Sequence, residues 1–184
     1  MLVLAALLAA LPPSLHAEAT SQRFAVSNGT VLASIRVVDP PARRILGSLR
    51  SGLRSQIRFV IRVYERGRGF LSFLGDRLVG TDQVSYEAQW DEFGGDYVIT
   101  RLGATKRASS RFSDAVAFTD HFFSIADEKT GIRVANHDHP YVLSSVEIQT
   151  VELAPPLTMI AAFLRGHQIS TPWIRTPLLF SAGG

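Results

Sequence analysis

Residues 40–66 read PPARRILGSLRSGLRSQIRFVIRVYER, and the spacing of the apolar side chains changes from about four residues to two within this stretch. In its first part, the apolar residues that share one helical face are Ile45, Leu46, Leu49 and Leu53. In its second part, the alternating apolar residues are Ile57, Phe59, Ile61 and Val63. Spacing near 3.6 is typical of an amphipathic helix, and alternation is typical of a strand with one buried face. The stretch therefore predicts a helix followed by a half-buried strand.

The ends of the predicted helix follow from its flanking residues. Asp39 is a suitable N-cap, because its carboxylate can accept a hydrogen bond from an unpaired amide of the first turn. Pro40 and Pro41 then fall in that first turn, where no amide partner is required. Gly52 is a reasonable terminator before the strand.

The rest of the chain indicates further strands and a second helix. Residues 24–38 predict a strand or hairpin with its turn at Asn28-Gly29, and residues 84–101 predict a hairpin. A helix is expected to begin with Ser113 as its N-cap, with Ala115, Val116, Thr119, Phe122, Phe123 and Ala126 on one face. The last predicted strand is 141–153. These elements predict an α+β fold with a mainly antiparallel sheet and two amphipathic helices, and they leave a sandwich-like arrangement open.

Length and composition predict how the chain is divided. With 184 residues, of which 46% are hydrophobic, one domain with a sizeable core is expected, over residues 20–157. Residues 158–184 form an apolar tail that is expected to pack either on this domain or on a partner. Arginines and a histidine interrupt the tail, so it does not suit a membrane span.

The first 19 residues, MLVLAALLAALPPSLHAEA, have the layout of a secretory signal peptide. An apolar run is broken by two prolines and followed by small residues, which predicts cleavage after Ala17 or Ala19. The run is much shorter than the roughly 20 residues of a membrane span. We therefore expect an exported protein, periplasmic or associated with the cell envelope, without a transmembrane span after cleavage.

Several chemistries are excluded or unsupported. The chain has no cysteine, which excludes disulfides, thiolate nucleophiles, iron–sulfur clusters and cysteine zinc sites. No nucleophile elbow, phosphate-binding loop or dinucleotide motif occurs, so no cofactor is expected and an enzyme is the less favoured class. The carboxylates near the second hairpin are interpreted as polar turn residues rather than an acid/base pair: Asp82, Glu87, Asp91, Glu92 and Asp96.

The order of elements resembles domain-of-unknown-function family 4390, a set of small exported bacterial proteins. The resemblance rests on 49–53 leading into 57–61, on 84–86 with its return at 96–99, and on 112–115, and it spans roughly residues 30–157. The loop 66–80, rich in phenylalanine, is longer than the family usually has. The resemblance implies export and brings no catalytic residues.

Two histidines give one functional hypothesis. His137 and His139 flank Asp138, and side chains two apart on an extended segment point the same way, so they could hold a divalent metal in a metal-binding protein or a hydrolase. A metal site needs three or four converging ligands, however, and the spacing places only two. Pro140 follows directly and favours a polar turn, which is the preferred interpretation.

Arginines give the preferred hypothesis. They greatly outnumber acidic residues between positions 36 and 68, and those of the strand alternate with its apolar residues. The candidate binding residues on this basic helix and strand face are Arg50, Arg54, Arg58, Arg62, Tyr64 and Arg66. Such a face could bind an envelope protein or an anionic membrane surface, and no motif indicates nucleic acid. Outer faces of antiparallel sheets are ordinarily polar, so a solvated face is the preferred interpretation of these arginines, and the binding face is the better of the functional hypotheses. The sequence thus predicts a non-catalytic binding or accessory module.

Overall fold

The alternating stretch forms the third strand of a two-sheet domain, described by a computed structural model over residues 19–67, 75–103, 108–134, 140–151 and 168–180. Its strands are β1 (Ala19–Ser27), β2 (Thr30–Val38), β3 (Arg54–Glu65), β4 (Arg77–Asp91), β5 (Asp96–Leu102), β6 (Ser109–Phe112), β7 (Ser124–Arg133), β8 (Tyr141–Val151), β9 (Gln168–Ser170), β10 (Ile174–Pro177) and β11 (Leu179–Phe180). Its helices are α1 (Ala42–Arg50) and α2 (Ala115–Phe122). The predicted signal peptide lies outside the described residues, except for Ala19.

The strands form two sheets. The small sheet has the order β11-β1-β2-β7, and the large sheet has the order β10-β8-β3-β4-β5-β6, with β9 pairing the far part of β8. Every pairing is antiparallel except the short one between β1 and β11. The predicted α+β class, mainly antiparallel and with two helices, is confirmed, and the arrangement is sandwich-like.

The core lies between the two sheets. The inner face of β3 contributes four side chains with no solvent exposure, Ile57, Phe59, Ile61 and Val63. They belong to one apolar cluster with the small sheet and the helices, whose members include Phe24, Val31, Ile35, Ile45, Leu49, Phe118 and Phe122. The predicted alternation of β3 is therefore the alternation between core and outer face.

Both predicted N-caps were wrong. Asp39 adopts a positive φ of 50° before α1, whose N-cap is Pro41 and makes no side-chain hydrogen bond. The α2 cap is Asp114 rather than Ser113, and its carboxylate accepts a bond from the Ala117 amide at 2.8 Å. Phe118 faces the core and Val116 does not, so the apolar face of α2 is rotated from the predicted one. The helix ends at Phe122.

Two groups of contacts join the two sheets, and the first lies beside β7. The Asp82 carboxylate of β4 accepts a hydrogen bond from the Gly131 amide at 2.6 Å, and Arg101 of β5 pairs with Glu128 at 2.5 Å. Residues 168–180 provide the other connection, because β9 and β10 pair with the large sheet and β11 pairs with the small one. Within the described ranges, no helix is both long enough and apolar enough to cross a bilayer.

Candidate binding face

The side chains that β3 points away from the core lie on the outer face of the large sheet. The strand register places them in rows across β4, β3, β8 and β10. One row contains Leu78, Tyr64, Tyr141 and Pro177, and the next contains Thr81, Arg62, Leu143 and Arg175. The third row contains Gln83, Val60 and Ser145, the fourth contains Ser85, Arg58 and Glu147, and the fifth contains Glu87, Gln56 and Gln149. The outer face therefore has an aromatic end and a polar end.

The aromatic end consists of Arg62, Tyr64, Leu78, Tyr141, Leu143, Trp173 and Arg175. The rings of Tyr64 and Tyr141 are stacked, with centroids 5.5 Å apart and planes 12° from parallel. The Arg175 guanidinium lies 3.5 Å from the centroid of Tyr141. In the same way, the Arg62 guanidinium lies 4.4 Å from the centroid of Trp173, whose side chain stays 44% exposed. At exposed sites such cation–ring contacts contribute about 0.5–1 kcal/mol each, which favours these positions of the long side chains.

Asp76, the residue directly before β4, supports this end. Its carboxylate accepts hydrogen bonds from the Tyr141 hydroxyl at 2.7 Å and from the Gly67 amide at 3.3 Å, and it lies 3.9 Å from Arg175. These hydrogen bonds lower the pKa of Asp76 below its usual value, and the positive charge of Arg175 adds to the effect. The pKa of Tyr141 is raised, first by burial and then by its bond to Asp76. Three contacts, with Tyr64, Arg175 and Asp76, thus set the orientation of the Tyr141 ring.

The polar end consists of Arg54, Gln56, Arg58, Glu87, Glu147 and Gln149. Arg54 pairs with Glu87 at 3.1 Å, and Arg58 pairs with Glu147 at 3.4 Å. Each arginine of β3 at this end therefore has a carboxylate on a neighbouring strand. Much of the positive charge that the sequence concentrates in β3 is neutralised here.

The six residues predicted as a binding face do not form one surface. Arg62 and Tyr64 lie at the aromatic end, while Arg54 and Arg58 lie at the polar end. Arg50, at the end of α1, lies on the core side of the large sheet instead. Its Nε donates to the Tyr97 hydroxyl at 2.9 Å, and its guanidinium lies 5.7 Å from the Trp90 centroid.

Arg66 follows β3 and is exposed, and its charge contributes to the lowered pKa of Asp76. The sequence did not identify the other members of the aromatic end, Leu78, Tyr141, Leu143, Trp173 and Arg175, or its supporting residue Asp76. Tyr141 was assigned to a strand without a role, and the two C-terminal residues were assigned to the apolar tail. Nothing local in the sequence signals that the tail pairs with β8.

A cavity of about 440 Å³ opens beside the polar end, where β5 stops pairing with β4. Its polar lining includes Gln56, Arg58, Asp82, Gln83, Ser85 and Arg101. Asp82 and Arg101 are engaged by Gly131 and Glu128 of β7, as described above. This volume is in the range of pockets that hold small ligands.

The predicted metal histidines, His137 and His139, lie outside the described residues. Among the residues that the structure describes, no group of three or more potential ligands converges on a metal position. Four of the five hairpin carboxylates, Asp82, Glu87, Asp91 and Asp96, contact other groups. Asp91 accepts hydrogen bonds from Arg111 and from the amides of Phe93 and Gly94, which lower its pKa.

Comparison with known proteins gives no relative. No protein-family description matches the chain, and no curated protein or solved structure is significantly similar to it. The family resemblance drawn from the sequence therefore stays a prediction. The function has to be argued from the side chains of the described face.

Proposed function

We propose that this protein is a non-catalytic binding module of the bacterial cell envelope, and that the aromatic end of its outer face binds an acidic partner protein. The observation that carries the proposal is the stacking of Arg62 on the exposed ring of Trp173. Export to the envelope is supported by the signal-like first 19 residues and by the family resemblance.

The composition of the aromatic end supports a protein partner. Trp, Tyr and Arg are the residues that most often dominate the binding energy of protein interfaces. Here Tyr64, Tyr141 and Trp173 lie close to two arginines, on a face that also presents Leu78, half exposed. The stacked side chains are already ordered, so binding would cost little further side-chain entropy.

The charges indicate that the partner is acidic. Among the described residues, Arg62 contacts an aromatic ring and no carboxylate, whereas Arg54 and Arg58 each have one. An acidic side chain of a partner could pair with Arg62. Apolar residues of the partner beside that side chain could then pack on Trp173 and Leu143. Such a desolvated pair would contribute to specificity as well as to affinity.

The same charges favour a protein over an anionic membrane. A lipid surface attracts clusters of several unpaired basic residues, each contributing about 1 kcal/mol. The ion pairs to Glu87, Glu147 and Asp76 remove much of that attraction from this face. A partner protein needs only one well-placed charge and a complementary apolar surface.

Photo-crosslinking in cells tests this function. A photoreactive amino acid at Leu143, in the middle of the aromatic end, should form one discrete adduct with an envelope protein. The same amino acid at Phe93, which is fully exposed in the turn between β4 and β5, should not form that adduct.

Substitutions in the Leu143 crosslinking background complete the test. Arg62→Glu should abolish the adduct by charge repulsion, whereas Arg54→Glu, on the same strand and face, should preserve it. An adduct of equal yield from position 93, or one that survives Arg62→Glu, contradicts the proposal. Binding to anionic vesicles in place of a protein adduct would also overturn it.

A further inference from the structure

The cavity beside the polar end contains three charged side chains, and two of them are satisfied. The Asp82 carboxylate accepts bonds from the amides of Gly131 and Gln83 at 2.6 and 2.8 Å. Arg101 forms its 2.5 Å pair with Glu128, which raises the pKa of the guanidinium. Asp82 is therefore held by two backbone amides, and Arg101 is held by a short ion pair.

Arg58 is the exception. Its Nη1 is 3.4 Å from Glu147, longer than the 2.7–2.9 Å of a good charge-assisted hydrogen bond. Its Nε is buried and has no partner among the described residues. Leaving a buried donor without a partner costs free energy, and the cost is larger for a charged group. One donor of the guanidinium is therefore unused, and its ion pair with Glu147 is long.

The surroundings of Arg58 are polar and suit a small anion. Ser85 lies directly opposite Arg58 in the strand register, and Gln56 and Gln83 line the same cavity. A hydroxyl and two amides can donate to oxygen atoms that the guanidinium holds from one side. The cavity thus combines one under-used cation with neutral donors.

We infer that this cavity binds a carboxylate group, which Arg58 holds with the help of Ser85 and of the amides of Gln56 and Gln83. A carboxylate is favoured over a phosphate because Arg58 offers a single positive charge, which Glu147 already neutralises in part from 3.4 Å. A second negative charge would be repelled by Asp82 and Glu147, which lie beside it. The inference does not depend on the proposed partner binding at the aromatic end.

The carboxylate could belong to a free small acid or to an acidic side chain of another protein. An NMR titration at constant ionic strength distinguishes these sources with two probes, sodium acetate and a blocked tripeptide, acetyl-Gly-Glu-Gly-amide. The Arg58 Nε–H resonance and the amides of Ser85 and Gly103 should shift saturably. Stronger binding of the tripeptide indicates a side chain, and equal or stronger binding of acetate indicates a free acid.

Matched variants complete the experiment. Arg58→Lys keeps the charge but removes the planar fork, and it should weaken binding by roughly tenfold. Arg54→Lys, four residues away on the same face, should leave the affinity unchanged. Arg62→Ala, at the aromatic end, should also leave the affinity for the probes unchanged. The experiment therefore tests this cavity separately from the partner binding proposed for the aromatic end.

Three results would overturn the inference. They are the absence of a saturable shift with both carboxylate probes, an equal affinity in Arg58→Lys, and an affinity for inorganic phosphate as high as for acetate. The Ser85→Ala variant provides a check that does not change the charge of the site, and it should weaken binding less than Arg58→Lys does. An unchanged affinity in Ser85→Ala would remove the hydroxyl from the site.

Discussion

The two faces of β3 differ in what holds their side chains. On the inner face, Phe59 and its neighbours two residues away have no solvent exposure and pack between the sheets. On the outer face, Arg58 and Arg54 keep about four-tenths of their side-chain surface exposed and contact carboxylates. One strand therefore serves folding with one set of residues and leaves the alternate set available for binding. Substitutions on the two faces should have different consequences.

The largest effect is expected on the inner face. Phe59→Ala should lower the free energy of unfolding by about 3–5 kcal/mol, because it leaves a cavity between two close-packed sheets. Val60→Ala, next to it on the outer face, should cost less than about 1 kcal/mol. Denaturant unfolding of both variants measures the difference, and similar losses would show that the outer face is part of the core.

Arg50 is exposed, but its contacts with the inner-face residues Tyr97 and Trp90 should make it matter for stability. Arg50→Ala removes the donor to the Tyr97 hydroxyl and two cation–ring contacts, so it should destabilise the protein by about 1–3 kcal/mol. Chemical denaturation is again the measurement, with Arg54→Ala as its matched control. A smaller loss in Arg50→Ala than in Arg54→Ala would contradict the assignment of Arg50 to the core side.

A surface ion pair should contribute little. The double-mutant cycle of Arg54→Ala and Glu87→Ala should give a coupling free energy of about 0.2–1 kcal/mol, because both side chains are partly solvated. The coupling should decrease in high salt. A coupling of several kcal/mol would mean that the polar end is a structural element rather than a solvated face.

The smallest effect is expected from the protonation of the Asp76 carboxyl. Its pKa should lie below the usual value of 3.8, and Tyr141→Phe should raise it by removing the strongest hydrogen bond. Because the folded-state pKa is lowered, the stabilisation is present above the unfolded pKa and is lost as the pH falls through the folded value. NMR titration of the Asp76 carboxyl gives the pKa directly. An unshifted pKa in the wild-type protein would show that the Tyr141 ring is not anchored by Asp76.

The sequence predicted the parts of the fold that depend on strict periodicity. The alternation of residues 57–63 and the pairing of two hairpins follow from local spacing and turn residues, and the structure has both. The N-caps of both helices differ from the predicted ones. For α2, Ser113 and Asp114 are both good caps, and the choice depends on how the helix meets the core.

Other elements could not be predicted because local pattern does not define them. β7 was missed, since its burial does not alternate regularly and its register to β2 shifts twice. The three C-terminal strands are stabilised by partners that are far away in the chain, such as Ala25 beside Leu179. Trp173 and Arg175 of the aromatic end come from this segment, so their place beside Arg62 and Tyr141 could be seen only in the structure.

The central claim is that the aromatic end binds a partner and is dispensable for folding. The most direct measurement is the yield of the crosslink from Leu143 in Arg62→Ala, normalised to the folded protein. Loss of one exposed cation–ring contact should cost only about 0.5–1 kcal/mol, so the variant stays folded. The account predicts a normal amount of folded protein and at least a tenfold loss of the adduct. An unchanged adduct yield in folded Arg62→Ala would contradict it.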